Sequence, residues 1–155
     1  MKTLHLNLKK KWFDMILAGE KKSEYRDLSE YWAVRLVTFN DEMSQSGMDD
    51  MDEFLVDLKC PFRRHDDVGQ LMVFFDAEFK SFDKIHFKNG FARNGKPAPC
   101  FDIEFGGITV RQGRAKWGAE DKKFYFVLKL GNVLPQAANE KQAAPGSMKT
   151  TGAWR

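Results

Sequence analysis

The sequence predicts a mainly β fold with flanking helices, an α+β chain organised on a small curved sheet or barrel. Three observations predict it. Residues 3–8, TLHLNL, alternate strictly, with Leu4, Leu6 and Leu8 on one face and Thr3, His5 and Asn7 on the other. From residue 82 onward the same period-2 signal dominates, in FDKIHF, CFDIEFGGITVRQG and KKFYFVLKLG. Two short helical patterns with definable ends lie near the first strand.

The first helix is expected at about 9–18, in KKKWFDMILAGE. Trp12, Met15 and Ile16 share one face, and Gly19 stands where a left-handed cap belongs. An extended stretch follows, in which Lys22, Glu24 and Arg26 point one way while Ser23 and Tyr25 point the other. Lys21, at the bend, is free to swing toward either face. SEYWAVRLVTF reads as a short helix capped by Ser29 and running into a strand.

Residues 41–81 read as an insertion or cap on a main domain spanning 1–132. Their start, MDDMDEFLVDL, suits a helix because acids near its N-terminus complement the dipole. Pro61 and RRHDD read as a break, and VGQLMVFFDAEF as a second apolar element of open type. In the last third, Gly106-Gly107 reads as the turn of a hairpin inside CFDIEFGGITVRQG. KKFYFVLKLG is apolar on both faces, so a central strand is expected, with Phe124, Phe126 and Leu128 in the core. Residues 133–155 are poor in large apolar side chains and read as a flexible tail.

Composition narrows the function. The 155 residues carry a net charge of +3, yet residues 41–57 hold seven acids and no Lys or Arg, which leaves +10 on the rest. A basic body with one acidic segment fits a polyanion-binding surface, and the acidic 41–57 segment fits a basic protein partner. Neither a membrane span nor a signal-peptide core is present, so a cytoplasmic protein is expected. Cys60 and Cys100 form no CxxC pair, and His5, His65 and His86 have no ligand spacing. No metal or cofactor is therefore assigned. GxGxxG, GxxxxGK[ST] and GxSxG are all missing, which removes the usual support for several enzyme classes.

The chemistry concentrates in GEKKSEYR, residues 19–26. Glu24 and Arg26 lie about 6.6 Å apart along a strand, so their heads can share one ligand or each other. Lys21 is a point cation suited to phosphate, and Arg26 a planar fork for a carboxylate, phosphate or base edge. Glu24 can orient either cation, accept from an exocyclic amine, or act as a general base. The bland alternative is a structural Glu24–Arg26 pair with Lys21 in solvent. Trp117, between Lys116 and Gly118, either stacks on an unpaired base or closes one end of the barrel. Lys88 and Arg93, in or near the loop after KIHFKNG, are candidate phosphate contacts. His5 and Asn7 either border the cleft or serve structure. The lysines at 9–11 open a helix that the dipole does not favour there, which hints at phosphate contacts.

GEKKSEYR matches the GxKxxExR signature of ASCH domains at Gly19, Lys21, Glu24 and Arg26. The chain resembles bacterial and phage members of that family over residues 2–40 and 82–132. The resemblance implies a PUA-like open β-barrel with a cleft beside the signature loop, and binding of RNA or a modified nucleoside there. As an alternative it implies a hydrolase, because some small members cleave N4-acetylcytidine with the signature lysine, a threonine and a separate glutamate, and ribonuclease activity has been suggested. Lys21 keeps the lysine position, but Glu24 stands where those enzymes have threonine, which changes the chemistry available. In the enzyme reading, Lys21 and Glu24 are the reactive pair. A phage-type regulatory protein-interaction module is a further alternative.

Overall fold

The computed structural model describes residues 2–39, 48–60 and 67–136, with the side chains of 48–50 outside that description. Expectations for 41–47, for the break at Pro61 and for the tail after Gln136 lie outside the described residues.

The alternating first segment forms β1 (Thr3–Asn7), and Leu4, Leu6 and the following Leu8 are buried. Helix α1 (Lys10–Leu17) buries Phe13 and Ile16 and ends at Gly19, whose φ is +82°. β2 (Ser23–Arg26) follows. Ser29 caps α2 (Glu30–Leu36), its hydroxyl accepting from the Trp32 amide at 3.4 Å, and the chain continues into β3 (Val37–Phe39). The acidic segment contributes α3 (Met48–Lys59). The second apolar element resolves into α4 (Val68–Phe74), capped by Asp67, and β4 (Ala77–Phe79). β5 (Lys84–Lys88), β6 (Cys100–Gln112) and β7 (Phe124–Val133) complete the chain, with a one-turn 3-10 helix at Ala115–Trp117.

The five long-range strands form one sheet in the order β1-β5-β6-β7-β2, curled into a half-barrel. β1 and β5 run parallel, and the other neighbours antiparallel. β7 is interior, although β6 holds the centre of the order. The sheet's inner face, from Ile85, Phe87, Phe101, Ile103, Phe126 and Leu128, shares one core with Phe13 and Ile16 of α1. Each such side chain, fully buried, contributes about 1.5–3 kcal/mol.

One expectation is corrected here. Gly106-Gly107 is no hairpin turn, because β6 runs unbroken through it. Pairing passes from Phe105↔Leu130 to Ile108↔Leu128, so β6 carries one extra residue there, a β-bulge. Gly107 sits at φ +110°, and a Cβ on Gly106 would lie 3.0 Å from the Lys129 carbonyl oxygen. Glycine therefore bends the strand instead of reversing it. β4, near the end of the 41–81 segment, pairs with β3, and Phe54 of α3 packs edge-on against Phe39 and Phe75 within the common core. No helix among the described residues is long and apolar enough to cross a membrane.

Candidate functional site

The loop after α1 folds back tightly, with the amides of Glu20 and Lys21 both donating to the Met15 carbonyl at 2.9 and 3.1 Å. That return drives Lys21 inward rather than leaving it free to swing. Lys21 is 1% exposed, and its Nζ lies 5.7 Å from the Trp12 ring centroid and 5.3 Å from that of Tyr25. It donates to Glu24 Oε1 at 2.5 Å and to the Ser23 carbonyl at 2.6 Å. Burial pushes the Lys21 ammonium below the ordinary lysine pKa, against the opposing pull of Glu24.

Glu24 faces into the curl because β2 pairs with β7 in the register Glu24↔Leu128. Its second oxygen, Oε2, accepts from Arg26 Nη2 at 2.7 Å. The three signature side chains thus form one relay, Lys21–Glu24–Arg26, with both carboxylate oxygens occupied. Nη2 of Arg26 also donates to the Asn7 carbonyl at 3.2 Å, while Nε has no acceptor among the described residues. The guanidinium rests over the Trp32 ring, 4.9 Å from its centroid. The bland expectation of a solvated Lys21 is overturned: it is the most deeply buried of the three. Lys22, expected beside Glu24 and Arg26, precedes the strand and is exposed.

A cleft of about 440 Å³ opens beside the relay. Glu24 and Arg26 line it together with Trp12, Tyr25, Trp117 and Tyr125, and Lys21 lies beneath it, outside the lining. Tyr25 reaches this cleft although it alternates with Glu24 and Arg26, because β2 is an edge strand and its rim is accessible from both faces. Trp117 stands at the cleft as expected for a stacking candidate, flanked by Arg114 and Lys116, each 5.1 Å from its ring centroid. Its loop is held from two sides. The Tyr25 hydroxyl accepts from the Arg114 amide at 3.0 Å, and the Tyr125 hydroxyl from the Glu120 amide at 2.9 Å. Gly118 closes the loop at φ +97°, where a Cβ would stand 2.8 Å from Trp12.

Lys88 and Arg93 do not join this cleft. Lys88, at the end of β5, lines a second cleft of about 520 Å³ on the other side of Arg26. Arg93 is exposed in the 89–99 loop, paired through its backbone with Lys96, and lines neither cleft. His5 borders the second cleft and Asn7 both. Sequence reasoning missed Trp12, Tyr25, Tyr125 and Trp32 as site residues. The run KKKW next to the signature was the available signal for Trp12, and for Tyr125, paired ring to ring with Tyr25 at 5.5 Å, there was none.

No family model matches the chain, and neither a curated protein nor a solved structure matches it.

Proposed function

We propose that this chain is an ASCH-type, PUA-like domain that binds RNA or a nucleotide in the cleft beside Glu24 and Arg26. One observation carries the reading: the signature residues form a single buried relay at the wall of a cleft of nucleotide size. Two cations share one carboxylate, so the relay holds an excess positive charge. Glu24 spends both oxygens on Lys21 and Arg26, which makes it the anchor that fixes Arg26 rather than a free base. Arg26 commits Nη2 to Glu24 and Asn7 and keeps Nη1 for a phosphate or base, and Trp12, Tyr25 and Trp117 supply aromatic surface for a base.

The test is a filter-binding titration of single-stranded RNA across salt, with wild type and Arg26→Ala. Wild-type retention should fall steeply from low to physiological salt, and Arg26→Ala should lose most of it. Retention absent at every salt concentration rejects the reading.

A second reading, a hydrolase acting on N4-acetylcytidine or on RNA, draws on the burial of Lys21 beside Glu24, which lowers its basicity from the ordinary lysine value. It requires turnover in chromatography of either substrate and its loss in Lys21→Ala. Both substrates returned intact by the folded wild type would remove it.

A further inference from the structure

The second cleft is lined differently from the first. The first includes three carboxylates, Glu24, Asp27 and Glu120, beside its cations. The second is lined by Arg26, Lys88, His5 and His86, with no carboxylate in its wall, and by three aromatic rings, Tyr31, Trp32 and Phe91. Two of those rings are open to solvent, Phe91 at 75% and Tyr31 at 57% exposure. Lys88 Nζ lies 5.7 Å from the Phe91 centroid, and the Arg35 guanidinium 3.4 Å from that of Tyr31. Exposed aromatic rings beside cations meet the two demands of a single-stranded nucleic acid, a face for the base and a charge for the phosphate.

The cleft is also built rather than incidental. Asn7 and Gly90 bond reciprocally, side-chain amide to carbonyl at 3.1 Å and amide to side-chain oxygen at 3.0 Å. Asn89 adds a bond to the Leu8 carbonyl at 2.9 Å. Together they tie the base of the Phe91 loop to β1, so ordering cost on binding is reduced. His86 is set by Asp102, whose Oδ1 lies 2.6 Å from Nδ1. Partial burial opposes the charge on Asp102, but hydrogen bonds from Lys84 and His86 outweigh it and hold the carboxyl below its usual range. An ionised Asp102 only accepts, so Nδ1 of His86 donates and Nε2 remains for another partner. Arg26 and Asn7 belong to both clefts, so the two meet at the guanidinium.

We infer that the second cleft is the subsite for the adjoining nucleotide of a single-stranded RNA, with Arg26 at the junction of the two clefts. The first cleft, with its carboxylates, takes one nucleoside. The connecting phosphate passes Arg26 and Lys88, and the next base lies against Phe91 and Tyr31. This rests on the RNA-binding reading above and adds a length requirement to it: the preferred ligand spans at least two nucleotides.

The test compares a fluorescein-labelled, mixed-sequence single-stranded RNA octamer with an unlabelled equimolar mixture of the four nucleoside monophosphates as competitor. Proteins are wild type, the Tyr31→Ala/Phe91→Ala double variant and Lys88→Ala. All three positions are exposed, so folding is expected to survive and circular dichroism checks it. Wild type should hold the octamer far more tightly than the monophosphates. The double variant should lose roughly ten-fold or more for the octamer with monophosphate competition unchanged. Lys88→Ala should lower the salt slope by about one. Octamer binding in wild type that the double variant retains in full overturns the subsite and leaves the first-cleft reading standing. Equal losses for octamer and monophosphates also overturn it, because the two clefts would then not be separable. Failure of wild type to bind either ligand removes both readings.

Discussion

Arg26 and Asn7 stand at the two outer edges of a five-stranded sheet, and the guanidinium of the first donates to the carbonyl of the second at 3.2 Å. Three strands separate β1 from β2 in the sheet order, so this bond spans the open seam of the half-barrel. The same guanidinium is held from behind by Glu24 and stacked on Trp32. One side chain therefore closes the curl and divides the two clefts.

Removing Lys21 should expose how far the relay depends on pairing. Lys21→Met leaves Glu24 buried with one partner, and chemical denaturation should show a loss on the order of 3–5 kcal/mol. Adding Glu24→Gln should recover part of it, and a strictly additive double-mutant cycle would refute coupling. The pH dependence has a defined sign. Burial lowers the folded Lys21 pKa, so above that value the unfolded chain binds the extra proton. Stability then rises as pH climbs toward the ordinary lysine value of about 10.4. Lys21→Met should flatten that rise.

Tyr25→Phe should loosen the Trp117 loop by deleting the acceptor for the Arg114 amide. A stability loss of about 1 kcal/mol is expected, with a larger proportional loss of octamer affinity in the binding assay. Unchanged affinity would show that the loop position does not matter to the ligand.

Gly118→Ala combines two costs, a left-handed backbone and a Cβ 2.8 Å from the Trp12 ring. A loss on the order of 2–4 kcal/mol follows. Gly107→Ala, at φ +110° but in open space, should lose only about 1–2 kcal/mol. Thermal melts of the two variants separate crowding from conformation.

Asp102→Asn should destabilise by roughly 1–3 kcal/mol near neutral pH, where the carboxylate accepts from Lys84 and His86. The folded pKa of Asp102 is lowered, so its contribution is present above the unfolded value of about 3.9 and lost as pH falls below it. The gap between wild type and variant should close in acid. A gap that persists at pH 2 would argue against the electrostatic origin.

Much of this was legible locally. The Leu4, Leu6, Leu8 alternation, the Gly19 stop and the Ser29 cap are short-range signals, and each holds in the structure. Gly106-Gly107 was misread because a glycine pair looks the same locally whether the chain reverses or bulges. The decision comes from Lys129, twenty-odd residues away, whose backbone crowds Gly106. Lys21's burial was hidden for the same reason: its cover comes from Trp12 on α1 and Tyr25 on β2, and only the fold-back onto Met15 brings them together. The second cleft depends on β1 pairing in parallel with a strand about eighty residues later, setting His5 opposite His86. No local pattern encodes that register.

The seam bridged by Arg26 also bears on how the molecule avoids sticking to copies of itself. Unpaired strand borders invite addition of a foreign strand. Here both borders of the curled sheet turn toward each other, one is only four residues long, and a charged group occupies the gap. Neutralising that position would cost more than a ligand contact: it would free the Asn7 carbonyl on one β border and remove the charge that stands between the two.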